Sequence, residues 1–160
     1  MSRAAELVAA LTRRGWTLGI AESLTGGGLT SEIVSVPGAS ATLLGGVVAY
    51  ATPVKGSMLG VDTALLNEYG PVHPMVAAQM ATGVRTAVAV DGRPADVGLS
   101  TTGIAGPDSP DGQVVGTVHI GIATPSGDRA IAFLFEGDRA SIRAQTVDAA
   151  IEALLAEMRE

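Results

Sequence analysis

Ser23, Lys55 and Tyr50 carry most of the chemistry that this sequence offers. Ser23 lies in TLGIAESLTGGGLTSEIVSVPG, Thr17 to Gly38, which reads as a strand running into a helix. A serine before a helix has an ordinary use, because its hydroxyl caps main-chain N–H groups left unpaired in the first turn. The glycines beside it need another reason. A glycine inside a helix costs up to about 1 kcal/mol against alanine, yet Gly26, Gly27 and Gly28 stand where this helix must begin. Lacking Cβ atoms, they let a ligand approach the main chain at the positive end of the helix dipole. Such an end suits an anion, either a phosphate or the oxyanion formed when a hydroxyl attacks an acyl carbon. The segment has neither the lysine of a nucleoside-triphosphate loop nor a GxSxG elbow.

A nucleophilic serine needs a base. The two histidines, His73 and His119, stand beside no matching acidic partner in a recognisable pattern, and His73 before Pro74 reads as an ordinary helix-start residue. The alternative base is a lysine kept neutral by desolvation. Lys55 is the sole lysine of the chain, and it follows the apolar run VVAYATPV. Arginine could not replace it, since the guanidinium does not lose its proton in a protein. Taken alone, Lys55 reads more simply as a solvated surface ammonium. Tyr50 precedes it by five positions, which on one continuous helix is a separation of roughly 140°. A strand ending at Tyr50 and a helical first turn holding Lys55 would instead bring both to one mouth. The Tyr-x-x-x-Lys pair of short-chain dehydrogenases has a different offset, and no GxGxxG accompanies it here.

Two further groups can join them. STTGIAGPDSPDG, Ser100 to Gly112, follows a strand and carries Thr102, Gly103, Gly106 and Asp108. Ligands of open α/β sheets gather beyond the carboxyl ends of parallel strands, so this loop and that of Ser23 would share a cleft if their strands are parallel. Arg139 and Arg143, one helical turn apart, read either as phosphate ligands or as a solvated helix face.

The elements that must position these residues follow from periodicity and caps. Helices are expected over Ala4–Arg14, Gly26–Val36, the TPVKGSMLG and VDTALLNEYG segments, His73–Val90, and from a cap at Asp138 to the end. Strands are expected over Thr17–Ala21, Leu44–Ala51, Ala95–Gly103, Thr117–Thr124 and Arg129–Gly137, the last two joined by a PSGD turn. This alternation predicts a three-layer α/β/α sandwich around a mixed, mostly parallel β-sheet.

The 160 residues fit one domain, residues 1–160. With no cysteine and two separated histidines, neither disulfides nor a dedicated transition-metal site are expected. A net charge of −6 is the opposite of a duplex-binding surface, so nucleic acid is not an expected partner. The opening MSRAAELVAALTRRGW is an amphipathic helix pattern rather than a signal peptide, and no apolar run is long enough to span a bilayer. A cytoplasmic protein without membrane association is expected.

The strings AESLTGG, GGVVAYATPVK, GVDTALLNEYGPV, TTGIAGPD and EGDRASIRAQTV, in this order, closely resemble the C-terminal domain of the CinA (competence/damage-inducible) family. The resemblance runs from about Leu7 to Leu155. It implies an α/β/α sandwich and an activity that needs no cofactor or metal: hydrolysis of the carboxamide of nicotinamide mononucleotide to nicotinate mononucleotide and ammonia. By the same resemblance Ser23 is the nucleophile, Lys55 the base, and Tyr50 a third group beside the dyad. The resemblance places Thr102, Gly103 and Gly106 in the substrate site and makes a homodimer the implied assembly, while Thr25, Gly26, Gly27 and Arg139 are read from the residues themselves as further substrate-binding positions. Where many members read Y-S-N-x-x-K, this chain has Ala51, Thr52 and Pro53, and His73 replaces a frequent serine. The pyrophosphatase role of the molybdopterin-binding-like domain in larger members is not carried over. The rival expectation is a binding or partner module of the competence/damage-inducible type, which keeps the pocket without turnover.

Overall fold

The computed structural model describes residues 1–110 and 112–159; Asp111, within the second glycine loop, and Glu160 lie outside them. The elements run α1 Arg3–Arg14, β1 Leu18–Glu22, α2 Gly28–Val34, β2 Leu43–Val48, α3 Thr52–Leu59, α4 Thr63–Tyr69, α5 Pro74–Ala87, β3 Val97–Gly103, β4 Thr117–Thr124, β5 Gly127–Leu134 and α6 Arg139–Met158. Their ends are set by local chemistry. Ser2, Asp62, His73 and Asp138 each cap a helix by accepting a main-chain N–H, and Gly15 stops α1 in the left-handed region. Helix α2 begins two residues later than the pattern suggested, because Gly26 and Gly27 have φ of +59° and +101° and belong to a turn.

The strands form one sheet in the order β2-β1-β3-β4-β5. Strands β2, β1 and β3 are parallel, β4 is antiparallel to β3, and β5 to β4. Four of the five strands therefore point the same way, and helices cover both faces.

The two faces differ in side-chain size, and strand alternation is the reason. Leu18 and Ile20 of β1, Val97 and Leu99 of β3, and Val118, Ile120 and Ile122 of β4 join the main apolar core with α1, α2 and α6. Most of the residues that alternate with them are small, among them Gly19, Gly98, Ser100 and Gly121, with His119 as the exception. They face α5, which lies across β1, β3, β4 and β5. A Cβ at Gly98 would overlap the carbonyl oxygen of Ala81, and one at Gly121 that of Ala77, both on α5. Ser100 donates to Ala77 O at 2.6 Å. Close approach of helix and sheet backbones is thus written into one face of each strand.

Connectivity places the mouth of the site. The chain leaves β1 through α2 on one face to reach β2, and returns through α3, α4 and α5 to β3 on the opposite side of β1. The carboxyl end of β1 is therefore the switch point where an open α/β sheet holds its ligand. Among the described residues, no helix is long and apolar enough to cross a membrane.

The two kinds of glycine separate by their response to alanine. Gly98→Ala is expected to cost about 3 kcal/mol, since α5 must move off the sheet. Gly60→Ala, at φ +70° with open space around it, is expected to cost about 1 kcal/mol from backbone strain alone. Urea unfolding checks both, and equal losses would refute the close-approach reading of α5.

Candidate active site

Ser23 is held from both sides of the sheet. Its N–H donates to Thr101 O of β3 at 3.1 Å, while Ala49 N–H, just past β2, donates to Glu22 O at 2.8 Å. The residues after it fold into a compact turn. Gly26 N–H returns to Ser23 O at 3.1 Å and Gly28 N–H to Thr25 O at 2.9 Å, and the positive φ values of Gly26 and Gly27 make that reversal accessible. Thr25 is fully buried, with its Oγ1 2.8 Å from Thr101 Oγ1.

The start of α2 already has its anion. Glu22, fully buried, accepts from Leu29 N–H at 2.8 Å, from Thr30 N–H at 2.9 Å and from Thr30 Oγ1 at 2.7 Å. A carboxylate there complements the helix dipole and satisfies first-turn donors. This corrects the expectation that the glycine N–H groups present an open phosphate cradle. Thr25, Gly26 and Gly27 do not line the cavity below; they shape the turn that carries Ser23.

Lys55 corrects the surface-ammonium reading. It lies in α3, whose first turn follows the end of β2 directly, and its side chain is fully buried. Nζ is 2.9 Å from Ser23 Oγ, 2.8 Å from Ala49 O and 3.2 Å from Tyr50 O. Desolvation by burial lowers its pKa from 10.5 to about 8. A neutral amine has two N–H bonds and one lone pair. The two carbonyls accept both N–H bonds, which leaves the lone pair for the serine hydroxyl.

A cavity of about 540 Å³ opens over the dyad, within the range of small-ligand sites. Ser23, Leu24, Tyr50, Thr52 and Lys55 line one part of it; Thr102, Gly103, Gly106, Asp108 and Arg139 line another. The two loops expected to converge do so. Thr102 Oγ1 donates to Pro71 O at 2.7 Å, fixing the wall rather than facing the dyad. The Tyr50 ring stands at the mouth, 62% exposed, and its hydroxyl accepts from Arg139 Nη2 at 3.3 Å. It is the Tyr50 carbonyl, not the hydroxyl, that reaches Lys55. Arg139 also donates to Gly106 O at 2.6 Å, which braces the second glycine loop.

Arg143 parts company with Arg139. It does not line the cavity; its Nε donates to Leu24 O at 2.9 Å and Nη2 to Thr25 O at 3.1 Å. Of the pair read as one anion site, only Arg139 faces the ligand space. Sequence reasoning missed Glu22, and it read Arg143 without its acceptors, Leu24 O and Thr25 O. The signal for Glu22 was a carboxylate a few residues ahead of a helix start. His73 accepts from Met75 N–H through Nδ1 at 3.1 Å, the ordinary helix-start role expected of it. Among the described residues, no group of three or more metal-ligating side chains comes together.

Comparison with known proteins adds family to geometry. Residues 1–158 match the family model described as CinA C-terminal domain. A CinA-like protein of Frankia casuarinae is 46% identical over 142 residues, covering 89% of this chain and 32% of the relative. A putative competence-damage inducible protein of Desulforamulus reducens is 41% identical over 138 residues, covering 86% of this chain and 32% of its own length. The chain thus spans about a third of the curated relatives it matches. Among solved structures, a CinA superfamily protein from Klebsiella pneumoniae superposes with a TM-score of 0.91 at 29% identity, covering 98% of this chain and 96% of that one. One from Escherichia coli gives 0.89 at 30% identity, covering 96% and 87%. Model match, relatives and fold agree, and the chain belongs to the CinA C-terminal domain family.

Proposed function

We propose that this chain is a serine/lysine amidohydrolase that cleaves the carboxamide of a pyridine mononucleotide, nicotinamide mononucleotide first among them. The observation that carries the reading is the buried contact of 2.9 Å between Ser23 Oγ and the amine of Lys55. An amine with a pKa lowered to about 8 is partly neutral near physiological pH and can take a serine proton.

Ser23 Oγ attacks the carboxamide carbon while its proton moves to Lys55 Nζ. Charge develops on the amide oxygen, and Leu24 N–H is the donor assigned to it: Leu24 lines the cavity, and no acceptor among the described residues takes its N–H up. Lys55 then delivers its proton to the departing nitrogen, so ammonia leaves and an acyl ester remains on Ser23. Water, deprotonated by the same amine, attacks that ester and frees the acid. The Arg139 guanidinium is the cavity's cation for a phosphate. Tyr50 closes the outer wall, and Thr102, Gly103 and Gly106 form the wall opposite.

A second reading has one observation in its favour: the relatives are named for competence and damage induction, and this chain corresponds to about a third of their length. In that reading the cavity binds a mononucleotide for the benefit of a partner. The same assay separates the two, since binding without ammonia release favours the module.

Incubation with nicotinamide mononucleotide is expected to release ammonia, and Ser23→Ala to lower the rate at least about 10³-fold. Near-wild-type release by that variant would remove Ser23 as nucleophile. The pH dependence has a definite sign. Only the neutral amine is a base, so kcat/KM is expected to rise with pH through an apparent pKa near 8 and level off above it. Lys55→Arg keeps its proton at every accessible pH and is expected to be inactive throughout the profile; recovery of activity at high pH would argue against Lys55 as the base.

A further inference from the structure

The turn after Ser23 contains a continuous hydrogen-bonded path from a guanidinium to the cavity. Arg143 Nη2 donates to the carbonyl of Thr25 at 3.1 Å. The N–H of that same peptide unit, Gly26 N–H, donates to the carbonyl of Ser23 at 3.1 Å. The N–H of the next unit in the path, Leu24 N–H, finds no acceptor among the described residues, and Leu24 is a lining residue of the cavity. A second bond, Arg143 Nε to Leu24 O at 2.9 Å, holds the turn from the other side. From this geometry we infer that Arg143 is a positioning residue, which orients and polarises the Leu24 N–H so that it stabilises negative charge developing beside Ser23.

The physical basis is cooperativity. A peptide unit whose carbonyl accepts from a cation becomes a stronger donor at its N–H, and successive units along a path polarise one another. Here two peptide units separate the charge from the open donor, so the cation acts without entering the cavity. The planar fork matters as well: one guanidinium spans two successive carbonyls, which fixes the rotation of both peptide planes. Lysine in the same place would supply a point charge without the planar fork. Gly26 N–H closes the turn whose central residues, Leu24 and Thr25, carry the two carbonyls that Arg143 holds.

The inference rests on the amidohydrolase reading for its biological substrate but not for its test. A sulfonyl fluoride, phenylmethanesulfonyl fluoride, reports on Ser23 directly. Ser23 Oγ forms a bond to sulfur, the S–F bond breaks, fluoride leaves, Lys55 takes the serine proton, and the sulfonyl oxygens gather charge in the transition state. The rate of Ser23 modification, followed by mass spectrometry, is expected to fall about 10- to 100-fold in Arg143→Met and by an intermediate amount in Arg143→Lys. The pH midpoint of labelling, set by Lys55, is expected to stay in place in both variants, as is far-UV circular dichroism. With nicotinamide mononucleotide, kcat is expected to fall by a similar factor while KM changes less than about threefold. Labelling within twofold of wild type in Arg143→Met overturns the inference, as does a loss confined to KM or a displaced pH midpoint. Failure of the wild type to label overturns it too. Normal dependence of labelling on Arg143 with no ammonia released from the mononucleotide overturns the amidohydrolase reading and leaves this one standing.

Discussion

An amine shut away from water governs this molecule. Lys55 is the chain's single lysine and it is fully buried, a position that disfavours the charged form of any ammonium. A pKa lowered from 10.5 to about 8 corresponds to about 3 kcal/mol against that form. The protein tolerates the burial because every hydrogen of the amine has an oxygen to meet: Ala49 O, Tyr50 O and Ser23 Oγ. Two of the three are main-chain carbonyls just past the end of β2. The end of that strand must therefore sit beside the end of β1, which the bond from Ala49 N–H to Glu22 O secures. The dyad thus depends on sheet register rather than on loop conformation.

The rest of the fold follows from holding that register. Large side chains on one face of β1, β3 and β4 anchor the sheet to α1, α2 and α6. Glycine and serine on the other face let α5 lie almost on the backbone. A sheet clamped this way leaves little freedom at its carboxyl edge, which keeps the separation of Ser23 and Lys55 that the proposed mechanism needs. Burial of Glu22 adds to this. With both carboxylate oxygens bonded to the start of α2, the residue before Ser23 cannot swing without breaking three hydrogen bonds in an interior that offers no replacement.

Much of this was legible in the sequence, and the part that was not has a common cause. Caps and stops, such as Asp138 before α6 and Gly15 after α1, are local and were read as they stand. The nearness of Ser23 and Lys55 was an expectation that needed two strands to be neighbours, and the sheet order β2-β1-β3 makes them so. What periodicity cannot reveal is the partner across the gap. Gly26 and Gly27 signalled an anion-binding helix start, and the start does bind an anion, but the anion is Glu22. Arg143 signalled a cation on a helix face; its acceptors, Leu24 O and Thr25 O, lie 119 and 118 positions earlier in the chain. Lys55 read as solvated because nothing local announces that a helix's first turn will face inward. Each misreading had the right chemistry and the wrong counterpart.

In the proposed mechanism one amine serves as both base and acid, and its hydrogen bonds account for both roles. With Lys55 neutral, its two N–H bonds meet Ala49 O and Tyr50 O, and its lone pair meets the serine hydroxyl. With Lys55 protonated, the third N–H points where that hydroxyl was, at the atom that has just become an ester or ether oxygen or at the nitrogen about to leave. No other group has to rotate between the two states. Reorganisation is therefore small, and the field of fixed carbonyl dipoles is already suited to the cationic form when it appears. Desolvation by burial brings the pKa down to about 8. A solvated amine would keep its proton at neutral pH, and burial is what moves Lys55 off that limit.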